Sequence, residues 1–249
     1  MTQFEEPAFV KPTHPKGDVI VFGKSPELEI EDAKSGLARF GGFWRTPSYF
    51  TAYVRSAEIL IEHAAKTNTL DDIALPAFYM QRHALELLIK RLLSWLYEAA
   101  EYRSELGQAS TWAPSAQQKK AFKRSHNLTR LLNDLLSSSR ASGFQDPPIE
   151  LCELVRSIGK LEKSETWSRY AASETKEGTI VRHIDKEVVV PLVDFQRRLD
   201  LVVSKITYRF DGEDSYENEL YYEWESVARA TAPRVRIVVA SIDQPRGRR

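Results

Sequence analysis

Three ionisable side chains, Arg82, Glu86 and Lys90, recur at steps of four within the stretch PAFYMQRHALELLIKRLLSWL, residues 76–96. Steps of four line up on one face of an α-helix, so the three form a row. The rest of that helix is oily: nine of the thirteen residues from Ala84 to Leu96 are apolar. A helix that is apolar around most of its circumference belongs at the centre of a bundle. Breaking a buried ion pair costs about 3–5 kcal/mol, so charge placed there must be matched in place or face a pocket, a subunit partner or a ligand. The row is therefore either a structural ion ladder or the lining of a binding site.

The histidines narrow the chemistry. His14, His63, His83, His126 and His183 are scattered, and no two share a face at helical spacing. With a single cysteine, Cys152, in the apolar phase of LCELV, no disulfide within the chain and no metal centre is expected. His126 is the best isolated candidate for catalysis. It stands at the mouth of a helix, where unpaired N–H groups favour anions, among Lys123, Arg124 and Arg130. An imidazole so placed near a phosphate could move protons. The competing reading is that Ser125 or Asn127 caps the helix and His126 merely packs or bonds to backbone. His83 follows Arg82, and adjacent residues lie about 100° apart around a helix axis, so only one of the two can join a given cluster fully. Arg169 and Tyr170, in ETWSRYAASETKEG, form a third arginine–aromatic pair. A guanidinium there can grip phosphate, stack on a base, or tie the loop to Glu86. Gly-rich phosphate loops, HExxH, GxSxG and paired-cysteine motifs are all missing from the sequence, and no cofactor is expected.

Bulk charge excludes a global field for nucleic acid or membrane, because 35 basic residues balance 35 acidic ones. Local balance is another matter. From Leu106 to Asn133 there is no acid but five cations, and from Glu213 to Glu225 there are six acids and no base. Those blocks can attract each other within a dimer, the basic one can meet phosphate, or both can be solvated surface. No apolar run reaches the roughly 18 residues of a membrane span, and MTQFEEP is unlike a signal peptide, so a soluble cytoplasmic protein is expected.

The elements that must position these residues read as an all-α bundle of four to five helices over residues 43–206, with short β-type runs in arms at both ends. The N-terminal arm, 1–42, holds four prolines and the run Asp18–Phe22. Thr46-Pro47 opens a first helix running to about His63, and Pro76 starts the central helix, which extends to about Glu105. A short helix runs from Leu128 to about Leu136, Ser137–Pro148 reads as a linker, and Ile149–Leu161 is amphipathic. After a β-type run near Thr179–Ile184, Val190 to about Lys205 is the last long helix. The C-terminal arm, 207–249, comprises an acidic segment, a strand at Arg234–Ile242 and a basic tail.

The order of these pieces resembles the HEPN superfamily. The resemblance rests on an aromatic helix (SYFTAYVRSAEILIEHA), a helix containing RHALELLIKRLL, the helix start SHNLTRLL, the ETWSRYAASETKEG loop and a late helix near VVPLVDF. It covers roughly Trp44 to Ile206. It implies a helical homodimer of toxin–antitoxin, phage-defence or RNA-processing context. Many members are metal-independent ribonucleases, marked by an arginine a few residues before a histidine. Here no arginine stands five to seven positions before any histidine; His126 has Lys119 and Lys120 there, and His183 has Lys176. Three expectations result. The chain is a binding module for RNA or a nucleotide, with Arg82, Glu86, Lys90, His126, Asn127, Arg169 and Tyr170 at a polar site. Alternatively it is a ribonuclease with a rearranged set, His126 or His83 as base and Arg82 or Arg169 as clamp. Or it is a structural dimer within a larger defence assembly, joined to a protein partner.

Overall fold

The structure, a computed structural model, describes residues 26–38, 49–108, 112–161, 172–174, 179–182, 187–207 and 215–242. Among them are eight helices: α1 (Pro26–Lys34), α2 (Tyr49–Thr67), α3 (Leu70–Glu105), α4 (Ala116–Arg124), α5 (Leu128–Ala141), α6 (Ile149–Leu161), α7 (Leu192–Ile206) and α8 (Tyr216–Ile242). Two three-residue strands, β1 (Ala172–Glu174) and β2 (Ile180–Arg182), pair antiparallel, with Ser173 opposite Val181. The chain divides into two compact units, Met1–Ser48 and Tyr49–Arg249; α1 belongs to the first and all that follows to the second. The architecture is all-α, with more helices than the expected four or five.

At the centre lies α3, whose 36 residues make a rod about 54 Å long. It packs against α2, α5, α7 and α8, which is why its circumference is oily. Leu85, Leu88, Ile89, Leu92, Leu93 and Leu96 are all fully buried. Pro76 does not start this helix but sits inside it. Asp71 and Asp72 occupy the first turn, where carboxylates complement the positive end of the helix dipole. The break between α2 and α3 is a tight one. Asn68 takes a left-handed φ of 56°, a conformation asparagine tolerates better than most residues. The Thr69 amide then donates back to the Ala64 carbonyl at 3.0 Å, closing the end of α2.

The segment expected to link Leu136 to Pro148 is helical as far as Ala141. Between α3 and α5 lies α4, a helix the periodic pattern does not announce. Its start is a capping box: Ser115 Oγ accepts from the Gln118 amide at 3.1 Å, and Gln118 Oε1 accepts from the Ser115 amide at 2.9 Å. The strand expected at Arg234–Ile242 is instead the last part of α8, so α7 is not the last long helix. Residues 217–225 of the acidic block lie at the start of α8 and find cations within the same chain. Glu217 lies 2.6 Å from Arg91 Nε, Glu223 2.6 Å from Arg103 Nη2, and Trp224 Nε1 donates to Glu98 at 2.9 Å. Cys152 is buried in the core, where it fills space. The run Asp18–Phe22, Thr46-Pro47 and the basic tail lie outside the described residues. No helix among the described residues is long and apolar enough to cross a membrane.

Candidate functional site

The row on α3 is buried and shared with the turn that precedes α5. Glu86 Oε2 accepts from Arg82 Nη1 at 3.2 Å, and Glu86 Oε1 accepts from Lys90 Nζ at 2.9 Å. His126, forty residues further along the chain, brings its Nδ1 to 2.9 Å from that same Oε1. Arg82 Nη2 donates to the backbone carbonyl of His126 at 2.6 Å, so α3 grips the turn at two points. His83 Nδ1 lies 3.8 Å from Glu86 Oε2, beyond hydrogen-bond length. Arg82 thus joins the cluster fully and its neighbour stands at the edge, as their angular separation requires. The His83 ring is instead held by aromatics, stacked on Tyr79 at 5.5 Å and edge-on to Tyr53 at 4.6 Å.

Electrostatics favour an ionised carboxylate at the centre. Burial alone would raise the Glu86 carboxyl, but the hydrogen bonds to Lys90 and His126, with His83 close by, outweigh it and hold the group well below the usual carboxylate range. Accessibility then separates the cluster into roles. The Arg82 side chain is 2 % exposed and the His126 side chain 43 %. Arg82 is therefore an anchor for the turn rather than a clamp for a ligand. His126 is the member of the cluster that a ligand can reach most freely, and with Nδ1 turned to Glu86 it has Nε2 left to meet it.

Asn127, expected among the binding residues, caps α5: its Oδ1 accepts from the Arg130 amide at 2.8 Å. Ser125 Oγ accepts from the Asn127 amide at 3.2 Å, which shapes the turn. The capping alternative is thus realised by Asn127, while His126 beside it meets Glu86 through its ring. Lys123 and Arg124 are exposed near the end of α4, and Arg130 is exposed in the first turn of α5. Between these two helices lie two open hollows of about 400 and 300 Å³. Lys120, Gln117 and Ser125 contribute to the larger hollow; the acid-free composition of this run was their only advance signal. Tyr53 and Tyr79, which hold His83, gave no such signal.

Arg169, Tyr170, His14 and His183 lie outside the described residues. No group of three or more His, Cys, Asp or Glu able to hold a metal ion occurs among the described residues. No family model matches the chain, and no curated protein or solved structure matches it either.

Proposed function

We propose that this chain is a HEPN-like dimeric module that binds RNA or a nucleotide through its phosphates, with His126 at the point of contact. One observation carries the reading: a buried carboxylate orients an exposed imidazole by its Nδ1 at 2.9 Å, among Lys123, Arg124 and Arg130. A carboxylate on Nδ1 fixes the ring's orientation and leaves Nε2 facing outward, where an Nε2–H can donate to a phosphate oxygen. The cations around it neutralise the charge that arrives. Fluorescence anisotropy with a labelled RNA at low salt tests this. Binding is expected, weakened about tenfold in His126→Ala, the loss of roughly one hydrogen bond to a charged group. A chain that binds neither RNA nor nucleotide at low salt sinks the proposal and leaves a structural role in a larger assembly.

A second reading, a metal-independent endoribonuclease, draws on the same pair. Neutral His126 with Nδ1–H on Glu86 presents a lone pair on Nε2, the arrangement of a general base toward a ribose 2′-OH. Cleavage of labelled RNA in EDTA, lost in His126→Ala, is the expected result under this reading. An intact RNA after prolonged incubation rejects it while leaving binding untouched.

A further inference from the structure

The two hollows between α4 and α5 are one feature. They share Gln117, Ala121 and Arg130, so the floor is continuous from Arg124 and Ser125 at one end to Ser115 and Asp134 at the other. We infer that this trough seats the sugar–phosphate backbone of a single RNA strand, without regard to base sequence. The inference rests on the phosphate-binding reading above and assigns it a surface and a strand.

Three of the lining residues are cations, Lys120, Arg124 and Arg130, and among the described residues none of them has a carboxylate partner. Several other cations are matched: Lys119, beside Lys120, pairs with Glu101, Lys90 with Glu86 and Arg103 with Glu223. Arg130 is the most telling. It stands in the first turn of α5, a turn without an acid, where the positive end of the helix dipole opposes a cation. Fold stability gives no reason for a cation there, whereas an anion in the trough does. Gln117, Gln118, Ser115 and Ser125 add amide and hydroxyl groups to the lining, suited to phosphate and ribose oxygens. No aromatic ring lines either hollow, so there is no platform on which bases would stack. The acid at the far end, Asp134, already accepts from the Tyr97 hydroxyl at 2.7 Å. Along α4 the trough is only about 13 Å long, too short for the two successive minor grooves by which duplex RNA is gripped.

The test is the salt dependence of binding to an oligouridine of about 12 nucleotides, followed by fluorescence anisotropy on the full chain. The trough's three phosphate contacts contribute about −2 to the slope of log affinity against log salt, since each contributes about 0.7 on a single strand. Arg130→Gln lowers the magnitude of the slope by about 0.7, and the triple variant Lys120→Gln/Arg124→Gln/Arg130→Gln lowers it by about 2. Arg229→Gln, on α8, keeps the parental slope. Arg130→Gln removes a cation from an unfavourable helix end, so it retains the fold even where the triple variant does not; circular dichroism checks both. A parental slope in Arg130→Gln, or in a folded triple variant, overturns the trough while RNA binding stands. Failure of the parent chain to bind the oligouridine at low salt overturns the trough, and the phosphate reading falls with it only if no nucleotide binds either.

Discussion

Toward α5, the central helix presents one carboxylate to several cations; toward α8 it meets its acids one for one. Glu86 is shared by Arg82, Lys90 and His126, with His83 close by, and the His126 ring remains open to solvent. On the α8 side, Arg91 faces Glu217 and Arg103 faces Glu223, with Arg91 also lying over the Trp95 ring at 4.9 Å. Both interfaces bury charge, and only one leaves positive charge in excess. Balanced pairs fasten two helices together. A surplus beside an exposed ring leaves capacity for an anion, which is what separates a candidate site from an ordinary seam.

The comparison is best broken at Glu86. Glu86→Gln keeps the shape and removes the charge that neutralises Arg82 and Lys90, and about 3–5 kcal/mol of stability is expected to go with it in a urea titration. A loss no larger than that of a surface substitution would mean the cations are not relying on this carboxylate. Acid sharpens the same point. A carboxyl held below its ordinary value of 4.5 contributes stability that is complete above that pH and is lost as pH falls toward the depressed folded value. The gap in melting temperature between the parent and Glu86→Gln should therefore be widest above pH 4.5 and narrow below it. A gap that widened on acidification would contradict the assignment.

On the α8 side the expected effect is smaller. Glu217 is 1 % exposed but Arg91 is 36 % exposed, so water can take over the guanidinium when its partner is neutralised. Glu217→Gln should cost about 1–3 kcal/mol and leave RNA binding unchanged. Equal losses from Glu217→Gln and Glu86→Gln would erase the distinction between the two interfaces. Smallest is Asn127→Ala, which removes the α5 cap for about 1 kcal/mol, and it should also loosen the turn that carries His126. Faster amide exchange at Leu128–Leu131 without loss elsewhere is the readout.

Much of the frame was legible. The spacing of apolar residues announced α2, α6 and α7, and steps of four announced the Arg82–Glu86–Lys90 row. What periodicity misses, other signals carry. The box Ser115-x-x-Gln118 marks α4, whose nine residues are too polar to show an apolar stripe. Asp71 and Asp72 mark the true start of α3, where the eye goes to Pro76. The end of α8 fails for a different reason. RVRIVVASI has β-type composition, yet extending an existing helix adds one bond per residue fixed, whereas a strand needs a partner that must be found. The approach of His126 to Glu86, across forty residues, left no local trace at all, because tertiary packing alone creates it.

The length of α3 has a consequence for how this chain can change. One rod holds Glu86 toward α5 and, further on, Arg91 and Arg103 toward α8. Deleting a single residue between Glu86 and Arg91 would turn everything beyond it by about 100°, swinging both arginines away from their acids. Loops elsewhere can absorb insertions, but this shaft cannot be cut or spliced by one residue without putting its two ends out of register.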